Sequence, residues 1–248
     1  MKNKLAVILL LGGFTVNCNS QQKAPAISTS VNSGYTYKKA SNDGIGKFYW
    51  GREISHVMGA GGTDWLERPE RNKEENTSIA ISNIQLAPNA VVADIGAGTG
   101  YYSFRLATKV PLGKVYAVEI QDEMIRYLSN KKIQLKDSVV EIIKSSLVSP
   151  NLPDNSVDLA IMVDVYHELE FPQEMLQAIR KSLKPTGKIL LIEYRGEDPS
   201  VPIKALHKTT VAQLNRELAA NGFELSYKGN FLPIQHFLLY QKNDKQAN

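Results

Sequence analysis

Apolar and polar positions run along this chain in two rhythms. Short apolar stretches fall at residues 91–95, 114–119, 139–143, 158–163 and 188–194. Gly, Pro, Asp and Asn bound most of them, which is the pattern of buried strands. Between them the apolar positions space out as on one face of a helix, over 100–109, 122–131 and 172–183. Pro172 opens the last of these, where a missing N–H costs nothing. Thr210 and Gln213 have capping-box spacing for a further helix that stops at Gly222. Two strands near 223–229 and 233–241 are expected to pair as an antiparallel edge. Upstream, Phe48–Met58 and Glu74–Ile84 read as helices, part of a helical cap over 47–88. Strands that alternate with helices give a mostly parallel sheet covered on both faces.

The first apolar stretch ends in chemistry. Val91-Val92-Ala93-Asp94-Ile95 runs into Gly96-Ala97-Gly98-Thr99-Gly100, with a glycine at every second position and a helix start after it. Such a loop accepts positive φ and lets a ligand approach with no Cβ in the way. Counted from Gly96, the dinucleotide pattern G-x-G-x-x-G needs a glycine where Tyr101 stands. Counted from Gly98, Ser103 could serve, but Asp94 and Gly96 are then unexplained. The Gly-Lys-Ser/Thr of a P-loop is absent. The second stretch, Lys114–Glu119, ends in a carboxylate nineteen residues past Gly100. A carboxylate there matches the two hydroxyls of a ribose. A solvated strand-end Glu is the plainer reading, and nicotinamide enzymes use the same device, so Glu119 alone selects no cofactor.

The pattern from Asp94 to Gly100 resembles motif I of the class I S-adenosylmethionine-dependent methyltransferases. Two later segments resemble that family in the same order. Leu152-Pro153-Asp154-Asn155-Ser156-Val157-Asp158 is similar to its lead into the fourth strand, and Leu183-Lys184-Pro185-Thr186-Gly187 to its turn into the fifth. The resemblance implies a Rossmann-like α/β fold, with a seven-stranded mostly parallel sheet, helices on both faces and an antiparallel edge strand. It implies S-adenosylmethionine as cofactor, on Asp94, Gly96, Gly98, Gly100, Glu119, Ser146 and Asp164. Ser146 departs from the Asp usual at the adenine position, a hydroxyl without charge. The methyltransferase domain is expected over 89–242.

In open α/β sheets, ligands gather at the carboxyl ends of the strands. The fourth strand ends in Asp164-Val165-Tyr166-His167-Glu168, the richest polar cluster of the chain. Asp164 and His167 are the catalytic candidates. His167 is suited to take a proton from an acceptor, with Glu168 to orient it. The alternative is a histidine that caps or packs against the next helix. His56 and His207 compete for the base role. The fifth strand ends in Glu193-Tyr194-Arg195, polar residues that suit substrate recognition, with a Glu193–Arg195 pair on one face as the plainer reading. The four histidines show no ligand spacing, so no metal is expected. Asp64-Trp65-Leu66-Glu67-Arg68-Pro69-Glu70-Arg71 alternates in charge, as solvated surfaces do. It also resembles a segment of bacterial methyltransferase-like proteins, which implies a part in closing the site.

Composition narrows the setting. Hydrophobic residues make up 43% and charged residues 22% of 248, ordinary values for a soluble domain. The first eighteen residues read as a leader. Lys2 and Lys4 precede an apolar run, Leu5–Phe14, too short to span a bilayer. That run ends near Cys18, the sole cysteine, in a segment that resembles a relaxed lipobox. Without Lys2 and Lys4, 27 basic residues face 25 acidic ones, a balance of +2 that gives no argument for nucleic acid. The expectation is an exported cell-envelope lipoprotein anchored to a membrane at Cys18, with residues 19–46 as a flexible tether. Its partner is expected to be a small-molecule or lipid methyl acceptor. An exported enzyme needs a supply of a cofactor made in the cytoplasm. Two other readings therefore stand: a non-catalytic ligand-binding lipoprotein on this fold, and a nicotinamide-dependent oxidoreductase.

Overall fold

The computed structural model describes residues 34–243, so the leader and Cys18 lie outside the described residues. The chain there opens with a three-stranded antiparallel sheet of β1 (Tyr35–Tyr37), β2 (Gly44–Tyr49) and β3 (Arg52–Ser55). Two expectations change here. The tether does not reach through residue 46, and Phe48–Met58 is strand and loop rather than helix. Trp50 and Gly51, with φ of 47° and 92°, turn β2 directly into β3. Positive φ at both central residues matches the twist of a two-residue hairpin. Tyr49 and Ile54 are fully buried. The segment reads as helical in isolation, and packing decides it.

Three short helices follow: α1 (Thr63–Leu66), α2 (Arg71–Glu75) and α3 (Thr77–Asn83). Asn76, at φ 57°, breaks the expected Glu74–Ile84 helix between α2 and α3. From Val91 onward the elements come as expected. They are β4 (Val91–Ile95), α4 (Ser103–Ala107), β5 (Lys114–Glu119), α5 (Asp122–Leu135), β6 (Val140–Lys144) and β7 (Val157–Val163). Then come α6 (Pro172–Ser182), β8 (Leu183–Tyr194), α7 (Val211–Ala219), β9 (Phe223–Gly229) and β10 (Gln235–Lys242).

The seven strands from β4 on form one sheet in the order β6-β5-β4-β7-β8-β10-β9. The first five are mutually parallel, and β10 runs antiparallel to both β8 and β9. Strand alternation divides the core into two layers. Val92, Leu159, Ile161, Leu190 and Ile192 pack with Phe104, Leu106 and Leu128 on one face. Ala93, Ala160, Met162, Ile189 and Leu191 pack with Leu176, Ile179, Leu214 and Leu218 on the other. The Thr210 hydroxyl accepts from the Gln213 N–H at 3.1 Å and caps α7. The Gln213 side chain does not return to the cap. It donates to the Trp50 carbonyl at 3.1 Å and ties α7 to the hairpin. Chain order reverses between β4 and β7, and the crevice at that switch point is where ligands bind in such sheets. Among the described residues no helix is long and apolar enough to cross a membrane.

Candidate active site

A cavity of about 550 Å³ opens at this switch point. One end is the glycine loop. The N–H groups of Gly96 and Ala97 both donate to the Val118 carbonyl, at 2.9 and 3.0 Å, and pin the loop to β5. Gly96 has φ 71°, and a Cβ there would lie 2.6 Å from Val165 Cγ1. A side chain is therefore excluded twice, by the backbone and by the neighbour. Asp94 is buried beneath the loop and accepts the Ser103 hydroxyl at 2.6 Å. It joins the end of β4 to the start of α4. Burial, only partly opposed by Ser103, pushes its carboxyl up to about 6.

Glu119 closes the same end. Its Oε1 accepts from the Ile120 and Gln121 N–H groups, at 2.7 and 2.9 Å, and its Oε2 from Gly98 N–H at 2.9 Å. The expectation that both oxygens meet a ribose diol changes accordingly. Oε1 is saturated by two amides, and Oε2 keeps one lone pair for a hydroxyl. Ile120, Met124, Ser146 and Leu147 line the cavity beyond it.

The opposite end is assembled from distant residues. Asp164 directly follows β7 with φ 53°, a left-handed conformation that Asp tolerates better than most residues. Its Oδ2 accepts from Gln235 Nε2 at 2.7 Å, while its buried Oδ1 has no partner. Burial, together with Glu75 and Glu193, holds its carboxyl well above the ordinary carboxylate range, and Arg71 opposes them. Arg71 and Glu75 form a buried pair at 2.9 Å. Tyr194 donates to Glu75 at 3.0 Å, and the buried Tyr102 hydroxyl has no partner. The segment 64–71 is thus no solvated surface at its far end. Trp65, Leu66 and Arg71 line the cavity.

His167 is buried in the 3₁₀ turn Tyr166–Glu168. Its Nδ1 meets Glu193 Oε2 at 2.6 Å. Glu193, not Glu168, therefore orients the ring. The plainer reading of a Glu193–Arg195 pair does not hold. Arg195 donates instead to the carbonyls of Leu232 and Pro233. Glu193 Oε1 also accepts the N–H groups of Val165 and Tyr166, at 3.1 and 2.7 Å. His167 Nε2 lies 3.2 Å from His207 Nδ1, so two histidines forty residues apart meet here. Glu168 holds the His207 imidazole above its ordinary value against the effect of burial. His207 Nε2 is 3.1 Å from Asp43 Oδ2, an ion-pair distance without hydrogen-bond alignment. The N-terminal hairpin supports this turn. Arg52 donates to the His167 carbonyl at 3.1 Å and pairs in two bonds of 2.8 Å with buried Glu217. Glu217 also accepts the Tyr166 hydroxyl at 2.8 Å.

Asp94, Gly96, Gly98, Glu119, Ser146, Asp164 and His167 thus all line one cavity. Gly100 lies behind the loop, where a Cβ would strike Leu128 and Phe104 at 2.7 Å. Asp43, Glu75 and Tyr102 were not legible as site residues. Asp43 sits in a stretch that reads as tether, whereas Arg71 and Tyr194 lie in segments whose resemblance or place at a strand end pointed to the site. The buried charge of Arg71 follows from contacts made far along the chain.

Comparison with known proteins agrees with this geometry. Residues 93–191 match the model of a methyltransferase domain. Phosphoethanolamine N-methyltransferase 1 of Arabidopsis thaliana is 26% identical over 151 residues, 61% of this chain and 28% of that protein. The tRNA U34 carboxymethyltransferase of Desulfotalea psychrophila is 29% identical over 126 residues, 50% of this chain and 38% of that protein. The chain thus spans well under half the length of these two curated relatives. Among solved structures, an S-adenosylmethionine-dependent methyltransferase from Aquifex aeolicus superposes with a TM-score of 0.68 at 24% identity. It covers 74% of this chain and 99% of its own. An O-methyltransferase from neocarzinostatin biosynthesis, solved with S-adenosyl-L-homocysteine and 1,4-dihydroxy-2-naphthoic acid, superposes with a TM-score of 0.62 at 14% identity. It covers 74% of this chain and 58% of its own. Residues 93–191 form a methyltransferase domain, and the chain has the fold of the class I S-adenosylmethionine-dependent methyltransferases.

Proposed function

We propose that the chain binds S-adenosylmethionine and transfers its methyl group to a small-molecule or lipid acceptor seated at the His167 end of the cavity. One observation carries the reading. Asp164 Oδ1 is buried without a partner in the same cavity as the glycine loop and Glu119. An unpartnered buried carboxylate oxygen is costly. A cationic methionine end supplies the missing charge. Gly96 to Gly98 and the free lone pair of Glu119 Oε2 hold the ribose. Ile120, Met124 and Leu147 enclose the adenine, and the Ser146 hydroxyl offers it a polar contact.

When bound, the sulfonium supplies an electrophilic methyl group. The protein has to align the acceptor atom opposite the leaving sulfur, and such positioning alone lowers a barrier substantially. Asp164 orients the donor. The His167, Glu168 and His207 cluster meets the acceptor heteroatom.

Calorimetry with S-adenosylmethionine, S-adenosylhomocysteine and NAD on the wild type and Asp164→Asn tests this. Binding of the two sulfur nucleotides is expected, with the preference for the sulfonium reduced in Asp164→Asn. Binding of NAD alone overturns the proposal. The leader-like residues further support export as a lipoprotein anchored at Cys18. Fatty-acid labelling of the wild type and Cys18→Ser in a bacterial host checks that reading, and an unlabelled soluble wild type refutes it.

A further inference from the structure

The histidine cluster brings three metal-ligating groups together where a proton acceptor needs one. His167 Nδ1 is committed to Glu193 at 2.6 Å, so its N–H lies there and Nε2 presents a lone pair. His207 Nε2 lies 3.1 Å from Asp43 Oδ2, and its Nδ1 is the ring nitrogen turned toward His167. These two nitrogens point at one another across 3.2 Å. Glu168 Oε1 lies 3.7 Å from His167 Nε2 and 3.5 Å from His207 Nδ1. A proton joins the two rings in a hydrogen bond, and without it two ring nitrogens and a carboxylate oxygen stand close enough together to hold one metal ion.

The edges of this triangle match a particular ion. A tetrahedral zinc with bonds of about 2.0–2.1 Å keeps its ligand atoms about 3.3–3.4 Å apart. An octahedral ion with bonds of about 2.1 Å keeps neighbouring ligands about 3.0 Å apart. The observed 3.2, 3.5 and 3.7 Å fit the tetrahedral case better. His167 also has a carboxylate, Glu193, hydrogen-bonded to its other nitrogen, and His207 has Asp43 3.1 Å from its own. A carboxylate bonded in this way fixes the tautomer of metal-bound histidine. All three side chains line the cavity, so a fourth position faces the acceptor.

We propose that His167, Glu168 and His207 form a mononuclear zinc-type site whose fourth position takes the oxygen or sulfur of the methyl acceptor. The metal binding stands on this geometry alone, and the catalytic role rests on the methyltransferase reading. An acceptor hydroxyl or thiol that binds the ion loses its proton to solvent water near neutral pH. Its lone pair then attacks the methyl carbon, and the carbon–sulfur bond breaks with its electrons going to sulfur. The methylated acceptor and the thioether leave. The general-base role expected of His167 passes to the ion, which His167 holds.

The test uses the full-length chain stripped with a chelator. Zinc titration by calorimetry, with cobalt as a spectroscopic substitute, is run beside S-adenosylmethionine binding on the same samples. One zinc per chain is expected, with the visible absorption of tetrahedral cobalt. His207→Ala removes a half-buried ligand and is expected to weaken zinc at least 100-fold. Glu193→Gln, which acts through His167, is expected to weaken it about 10–100-fold. His236→Asn, outside the cluster, should bind zinc as the wild type does. Circular dichroism and retained S-adenosylmethionine binding show that each variant is folded. A folded wild type without stoichiometric zinc, or a folded His207→Ala that binds as tightly as wild type, overturns the proposal. Zinc binding without S-adenosylmethionine binding leaves the metal site standing and removes the methyltransferase reading instead.

Discussion

The two ends of the cavity are built in opposite ways. The donor end comes almost entirely from residues 94–124, one β-α-β passage, joined by Ser146 and Leu147. The acceptor end collects Asp43, Arg71, Asp164, His167, Glu193 and His207 from five separate places in the chain. At the donor end, neighbours in sequence hold each other through short backbone bonds. At the acceptor end, ion pairs across the fold do that work. A local motif tolerates change elsewhere, whereas an end assembled from distant parts depends on every element that carries it.

Arg52→Met gives the largest effect expected. It leaves Glu217 buried beside Tyr166 without its cation, at a cost of about 3–5 kcal/mol in unfolding free energy. Urea denaturation measures it. If the two ends are independent, S-adenosylmethionine affinity measured well below the new midpoint stays within about twofold of wild type. A tenfold loss there would mean that the hairpin reaches the donor end as well.

Within the donor end, Asp94 gives the next effect. Its folded value of about 6 lies above the ordinary 3.8, so folding favours the protonated form. That contribution is complete below about pH 3.8 and is lost as pH rises through 6. The size is about 3 kcal/mol, at 1.36 kcal/mol per unit. Unfolding of wild type and Asp94→Asn at pH 4, 5, 6 and 7 should show the wild type falling behind the variant across that window. Parallel curves would remove the assignment. Glu119→Ala should then cost about 1.5–3 kcal/mol of cofactor affinity, roughly 10–150-fold in Kd. Zinc affinity should be unchanged, and a parallel loss would join the two ends. Thr210→Ala, distant from the donor end, removes one helix cap and should cost about 1 kcal/mol of stability. An effect on cofactor affinity from that variant would show that α7 also shapes the donor end.

The sequence by itself determined the sheet from Val91 onward, the glycine loop, Glu119 and the capping of α7. Each depends on contacts within one turn or one β-α-β unit, where spacing along the chain translates directly into spacing in space. Only the tertiary structure decided the rest. The hairpin at 35–55 is a sheet because Tyr49 and Ile54 find a buried surface that no local pattern announces. Glu193 bonds to His167 instead of Arg195 because β7 and β8 are adjacent parallel strands, which brings their carboxyl ends together. His207 meets His167 through the loop after β8, and Asp43 reaches His207 from β2's approach. Charge placement of this kind follows the order of strands in the sheet and the packing of loops over it, and neither is written in the periodicity of the chain.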